Sequence, residues 1–184
     1  MKEIECRFLE IDKPALVKKL AELGAKDEGE QLLDEVIIYD PELKWVEERK
    51  LLRLRTGGGK TTLAYKHHHT QAVDGTEEIE FEISNFDQAE KLLETIGFKP
   101  YRRQQKKRHA FVLDGVSVDI DTWPKIPTFV ELEGKSEADL KKVATTLGLD
   151  WAKAANFHDA RWVIEEVYHL PVSKMHYYTF DRVE

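Results

Sequence analysis

Two hydrophobic periodicities alternate along the chain, one typical of strands and the other of helices. Runs with Val, Ile, Phe or Leu at every second position predict strands, because successive side chains of a strand point to opposite faces. Such runs cover Lys2–Phe8, 51–55, 62–66, 78–83, 106–112, Val116–Thr122 and 129–133, and a shorter one covers 35–39. Most of the predicted sheet is therefore two-faced, with an apolar side and a polar side.

Helical spacing of apolar residues appears between these runs. It predicts helices over 12–24, 86–97 and 136–148, and a fourth over 158–169 that stops before Pro171. Each of the first three ends at a glycine, which readily adopts the left-handed conformation found at helix C-termini. A strand with a Glu-x-Glu pair recurs loosely with these helices, but the spacings are unequal, so we predict one domain and no repeat array.

The polar faces of the predicted strands are sorted by charge. Acidic rows are Glu3 with Glu5, Glu78 with Glu80 and Glu82, Asp119 with Asp121, and Glu131 with Glu133; basic positions are Arg7, Arg53, Arg55, Lys66, Lys106 and Arg108. One interpretation is an antiparallel sheet with a solvated charged face and helices on its apolar side. The other is a closed lumen, in which carboxylates bind hard divalent cations while arginines and lysines bind phosphate. Unmixed rows of one sign favour the lumen.

These rows also carry a resemblance to a known family. The segment Glu3-Ile4-Glu5-Cys6-Arg7 resembles the E-x-E-x-K motif that opens CYTH (triphosphate tunnel) proteins, and the later charged strands are similar to that family's motifs in the same order. The resemblance implies an α+β fold, an eight-stranded antiparallel closed β-barrel forming a tunnel, with helices packed outside. Residues 1–184 would form one such domain, in which 170–184 is a C-terminal extension that folds over a tunnel mouth.

The family resemblance implies an enzyme that needs Mg²⁺ or Mn²⁺. The first expectation is a hydrolase acting on inorganic triphosphate or on an organic triphosphate in the tunnel. The alternatives are a class IV adenylyl cyclase, which converts ATP to cyclic AMP and pyrophosphate, and a non-catalytic module that binds polyphosphate or nucleotide. Family members include dimers, so a homodimer is compatible with the resemblance.

The resemblance also assigns roles to the charged residues. Catalytic roles fall on Glu3, Glu5 and Arg7, where arginine replaces the family's lysine and keeps its charge but not its readily lowered pKa. Phosphate would be bound by Arg53, Arg55, Lys66, Lys106 and Arg108. Metal ions would be held by Glu3, Glu5, Glu80, Glu82, Asp119, Asp121, Glu131 and Glu133.

Composition limits the binding partners and the cellular location that we expect for the protein. The 184 residues carry a net charge of −7, which disfavours nucleic-acid binding through bulk charge. The single cysteine, Cys6, excludes an intrachain disulfide. The sequence also lacks an apolar signal-like start and any apolar run long enough for a membrane span. We therefore expect a cytoplasmic protein whose partner is a small molecule, with neither membrane nor nucleic acid involved.

Three further motifs have ordinary interpretations. The Gly57-Gly58-Gly59-Lys60-Thr61 run lacks the first glycine and the following helix of a phosphate-binding loop, so it predicts a hairpin turn. The run 67–69 is His-His-His, which predicts a surface hairpin, with a metal or nucleotide contact as the alternative. Trp123 is expected to pack near a strand end, with contact to a nucleoside as the alternative.

Overall fold

A computed structural model describes residues 2–68, 76–153 and 160–184, and gives only the backbone of Lys2, Glu3 and Thr76. Most of the described chain forms one antiparallel sheet. Its strands are β1 (Lys2–Phe8), β2 (Lys26–Tyr39), β3 (Lys50–Gly57), β4 (Lys60–His68), β5 (Thr76–Glu82), β6 (Lys99–Leu113), β7 (Val116–Thr122), β8 (Phe129–Gly134) and β9 (Tyr177–Tyr178). The α+β class predicted from the sequence is confirmed.

The sheet is strongly curled. Its strand order is β2-β3-β4-β5-β1-β8-β7-β6-β9, and β2 also pairs along its length with β6. Only the short β9 runs parallel to its neighbour, β6. The curl brings the charged faces of the strands towards each other on the concave side.

The expected closed barrel is replaced by an open half-barrel. In the described residues β1 and β5 are paired at two positions only, Lys2 with Glu77 and Glu3 with Thr76. The rest of β5 extends past the start of β1, so its backbone forms no ladder with that strand. Two strands that overlap only at their ends cannot seal a barrel, and the sheet stays open along this seam.

Helices cover much of the convex side. They are α1 (Lys13–Glu22), α2 (Lys44–Glu47), α3 (Phe86–Thr95), α4 (Glu137–Leu147) and α5 (Ala160–Trp162), the last continuing into a π-helical turn at Val163–Val167. The first, third and fourth match the predicted helices and start at side-chain caps: Asp12, Asn85 and Ser136 accept backbone hydrogen bonds from residues 15, 88 and 139. Residues 158–159 of the fourth predicted helix lie outside the described part.

The apolar core lies between the helices and the convex face. Leu16 and Leu20 of α1 and Leu140 and Val143 of α4 are buried in one cluster with the outward side chains of β1, β7 and β8. A second cluster joins Leu93 of α3 to the outward side chains of β2 and β3. The predicted stripe of α3 is only partly buried, because Leu92 and Ile96 remain exposed. Since apolar residues point outward beneath helices, the concave side is left to the charged residues.

The hairpin predicted at the glycine run is confirmed. Gly57 pairs with Lys60, and Gly58 and Gly59 have φ angles of 58° and 77°. These left-handed angles are those that a two-residue hairpin loop requires and that glycine adopts without strain. The run therefore turns the chain from β3 into β4.

No helix among the described residues combines the length and the apolar character required to span a bilayer.

Candidate active site

The concave side of the sheet encloses a cavity of about 680 Å³. A volume in this range is typical of small-molecule sites. Most of the charged residues singled out in the sequence line it. They are Glu5, Arg7, Arg53, Arg55, Lys66, Glu78, Glu80, Lys106, Arg108, Glu131 and Glu133.

Arg7 and Glu131 face each other across the β1/β8 ladder and form an ion pair. Arg7 also donates to Glu5 over 2.9 Å. Burial alone would raise the pKa of Glu131, but the positive charges of Arg7 and Arg108 hold it well below its usual value. Glu131 is therefore an ionised carboxylate on the cavity wall.

Arg108 is held by three carboxylates. Its guanidinium contacts Asp121 from Nε and Nη2, at 2.7 Å in each case, and reaches Asp119 and Glu131. Asp121, 1% exposed, also accepts a 2.7 Å bond from Lys106. Asp119 and Asp121 are not among the cavity-lining residues, so in this structure they position the two cations that are.

Lys106 is a cavity-lining cation whose pKa is lowered. Burial, followed by the neighbouring charge of Arg108, lowers its pKa to about 8. The ammonium lies 5.2 Å from the ring centre of Trp123. Trp123 is itself buried and stacked on Tyr178, as expected for a packing residue at a strand end, and one side of its ring borders the cavity.

Arg53 of β3 and Lys66 of β4 are paired with the acidic row of β5. Arg53 contacts Glu78 at 3.1 Å and Glu80 at 2.9 Å, and Lys66 contacts Glu78 at 2.7 Å. Glu82, in contrast, is exposed and pairs with Lys60 at 3.2 Å. The predicted acidic row is thus divided: its first two members face the cavity and Glu82 lies beyond it.

Three acidic residues occupy neighbouring positions where β1 pairs with β8. Glu5 is directly opposite Glu133, and Glu131 is two residues from Glu133 on the same face. Burial, followed by the charges of Glu131 and Glu5, raises the pKa of Glu133. Within the described residues no hydrogen bond or ion pair reaches the Glu133 carboxylate. Glu3 belongs to β1, but its side chain lies outside the described part of the chain.

Glu5, Glu131 and Glu133 are the residues of this cavity that could hold a divalent cation. Like charges directly opposite each other on a sheet are unfavourable unless a cation lies between them, and oxygen ligands suit Mg²⁺ and Mn²⁺. As arranged here, no three acidic, histidine or cysteine side chains among the described residues already form a metal-binding geometry. Arg7 and Arg108 contact carboxylate oxygens of Glu5 and Glu131 that a metal ion would otherwise use.

Sequence reasoning missed a buried cluster behind Arg55. Glu35 of β2 is 4% exposed, accepts 2.7 Å from Arg55 Nε and 2.5 Å from Gln104 Nε2, and lines the cavity. Burial would raise its pKa, but Arg55, Arg53 and Lys106 lower it far below the usual value. The sequence did contain a signal. Alternation on the predicted strand 35–39 places Glu35 on the same face as Ile37 and Tyr39, and this is the face that lines the cavity.

The C-terminal segment, residues 160–184, packs at one end of the cavity. Ile164 and Val172 line the cavity and belong to an apolar cluster with Trp123 and Tyr178. Tyr178 donates a 2.6 Å hydrogen bond to the carbonyl oxygen of Pro124. The packing of this end therefore depends on residues from both the sheet and the C-terminal segment.

Two residues of the histidine run lie in the antiparallel pair formed by β4 and β5. His67 and His68 continue β4 and pair with Glu77 and Thr76. Because neighbouring strand residues alternate in direction, only His68 lines the cavity. His69 lies outside the described residues.

Comparison with known proteins links this site to one family. The model of the CYTH domain family matches residues 1–156. The fold is similar to that of protein PH1012 from Pyrococcus horikoshii OT3, with a TM-score of 0.70 and 26% identity over 83% of this chain and 93% of that chain.

Two more distant structures share the fold. A proposed adenylate cyclase from Vibrio parahaemolyticus has a TM-score of 0.75 and 17% identity, over 90% of this chain and 98% of that one. HpAC1 from Hippeastrum is a proposed adenylyl cyclase described as having a dominant triphosphatase activity. It has a TM-score of 0.62 and 13% identity, over 90% of this chain and 96% of that chain. No curated protein matches the chain.

Proposed function

The chain belongs to the CYTH domain family, and from that premise we propose that it is a metal-dependent triphosphate hydrolase. The observation that carries the proposal is the meeting, in one cavity, of the carboxylates Glu5, Glu131 and Glu133 with a wall of lysine and arginine side chains. A triphosphate is a polyanion that needs both kinds of group. Its phosphate oxygens require cationic partners, and its metal requires carboxylates.

Glu5, Glu131 and Glu133 would hold Mg²⁺ or Mn²⁺, with Glu3 added by family resemblance. When bound, the ion would neutralise phosphate charge and help to orient the attacking water. Asp119 and Asp121 would act through Arg108 and Lys106, which they hold in place. Glu80 and Glu82 stay candidates for a second ion, although Glu82 is exposed outside the cavity.

Phosphate binding would fall to six of the lining cations, Arg7, Arg53, Arg55, Lys66, Lys106 and Arg108. Each is held by at least one carboxylate, on its own strand, on the neighbouring strand or, for Arg53, two strands away on β5. Such contacts fix the cations before the substrate arrives, so less ordering is required on binding. Since a guanidinium group is always charged in proteins, Arg7 would bind phosphate and stabilise charge rather than transfer a proton.

The test is a substrate panel. Purified protein is incubated with tripolyphosphate, thiamine triphosphate or ATP and Mg²⁺ or Mn²⁺, and both phosphate release and cyclic nucleotide are measured. The variant Glu133→Gln should lower phosphate release at least about tenfold, since even outer-shell changes at metal sites cost 10–100-fold. The matched control Glu22→Gln changes an exposed carboxylate on α1 and should behave as the wild type.

The runner-up is an adenylyl cyclase, favoured by the fold shared with the proposed cyclase from Vibrio parahaemolyticus. It predicts cyclic AMP and pyrophosphate from ATP in the same panel. A third result, in which tripolyphosphate raises the melting temperature but no substrate is turned over, would identify a binding module instead. Absence of both turnover and thermal stabilisation would contradict all three.

A further inference from the structure

Two arginines at the cavity differ from the six cations described above. Arg102 of β6 and Arg161 of α5 both line the cavity. Within the described residues, neither forms an ion pair with a carboxylate at contact distance. The sequence patterns did not single out either residue, because Arg102 precedes the predicted strand at 106–112 and Arg161 lies in a predicted helix.

Arg102 is a buried charge with neutral partners. It is 4% exposed, and it donates 2.8 Å from Nε to Oε1 of Gln104 and 2.9 Å from Nη1 to the carbonyl oxygen of Val172. Burial lowers its pKa, and the positive charge of Arg161 lowers it further against the opposing effect of Tyr39. Glu35 and Glu165 act on it only from a distance, so its charge is incompletely balanced.

Arg161 faces the same end of the cavity from the C-terminal segment. The acid one helical turn further along, Glu165, would be its ordinary partner. Glu165 instead accepts a 2.6 Å hydrogen bond from the backbone N–H of Ser173. Ala160 and Ile164, which lie close to Arg161 in sequence, also line the cavity, so one side of this helical turn faces the cavity.

We propose that Arg102 and Arg161 form a second anion-binding subsite, at the end of the cavity covered by the C-terminal segment. It would take a phosphoryl group of the substrate beyond those held near Glu5, Glu131 and Glu133. Two neighbouring guanidinium groups repel each other, and an anion between them converts that repulsion into two charge-assisted contacts. The inference rests on the proposed function for the identity of the anion, and Arg102 supplies the fixed member because two acceptors already orient it.

Binding measurements test the subsite independently of turnover. Calorimetric titrations in metal-free buffer would use inorganic tripolyphosphate and ATP as probes, with Arg161→Ala, Arg161→Lys and the control Arg182→Ala. Arg182 is an exposed arginine of the same segment, paired with Glu184. Loss of charge-assisted contacts should weaken binding in Arg161→Ala roughly 10- to 100-fold, with partial recovery in Arg161→Lys and no change in Arg182→Ala.

The two probes separate the sources of the phosphoryl group. Weaker binding of tripolyphosphate alone assigns the subsite to the end of an inorganic chain, and weaker binding of ATP alone assigns it to a nucleotide. Because the side chain of Arg161 forms no hydrogen bond or ion pair within the described residues, its variants should melt near the wild-type temperature. Unchanged affinity for both probes, or an equal loss in Arg182→Ala, would overturn the subsite. Binding that depends on Arg161 without any turnover would leave the subsite standing and remove the hydrolase.

Discussion

Replacing Glu35 by glutamine probes how far the cavity depends on paired buried charges. The substitution keeps the shape of the side chain and removes its charge. Arg55 would then lie beside a neutral amide, and Gln104 would lose its charged acceptor. The remaining positive charges of Arg53, Arg55 and Lys106 would repel one another with less compensation.

The expected loss of stability follows from burial. Breaking a buried ion pair by neutralising one partner costs about 3–5 kcal/mol. The side chain of Glu35 is 2% exposed but that of Arg55 is 19% exposed, so we expect the lower end, about 3 kcal/mol. For a chain of this length that corresponds to a fall in melting temperature of roughly 6–12 °C.

The effect should also depend on pH. The folded state lowers the pKa of Glu35 below its ordinary value of 4.5. Its stabilisation is therefore fully present above that value and is lost as the pH falls below it. The difference between wild type and Glu35→Gln should be largest near neutral pH and should shrink in acid.

Denaturant unfolding followed by tryptophan fluorescence measures the difference. The matched control is Glu30→Gln on the same strand, whose ion pair with Lys13 is exposed and should contribute less than about 1 kcal/mol. Equal stabilities for the two variants, or a difference that grows in acid, would refute the view that Glu35 is a buried ionised anchor.

Three other predictions concern ionisation, packing and backbone. Because the pKa of Lys106 is about 8, tripolyphosphate affinity measured by calorimetry should fall as the pH rises through that value, and Lys106→Arg should abolish this dependence. Tyr178→Phe removes a buried hydrogen bond to Pro124 and should destabilise the fold by about 1–2 kcal/mol in chemical denaturation; an unchanged midpoint would contradict it. Gly58→Ala forces a side chain into a left-handed position with φ 58° and should lower stability by about 1–2 kcal/mol, measured by thermal melting.

Alternation located the strands where one face is buried. Residues Lys2–Phe8 and Val116–Thr122 agree with the observed strands to the residue, because each has apolar side chains under helices and charges on the concave side. The first half of β2 was missed, since 26–31 is polar throughout and mostly exposed. Its strand conformation comes from the ladder with β6, a long-range pairing that leaves no local hydrophobic pattern.

Charge rows predicted the cavity wall better than the roles of its members. Glu5 and Arg7 of β1 and Arg53 and Arg55 of β3 line the cavity, on the face that alternation indicated. Asp119 and Asp121 hold cations in place, whereas no ion pair reaches Glu133 within the described residues. The sequence could not predict this difference, because it depends on which cations reach each carboxylate across the curled sheet. The open seam between β1 and β5 likewise depends on strand offset, which the composition of the two strands does not specify.

Anomalous diffraction from crystals grown with Mn²⁺ and tripolyphosphate would test the central claim most directly. The account predicts a manganese peak beside the carboxylates of Glu5, Glu131 and Glu133, with phosphate density against Arg7 and Arg108. A manganese peak away from these carboxylates, or triphosphate bound on the convex side of the sheet, would contradict it.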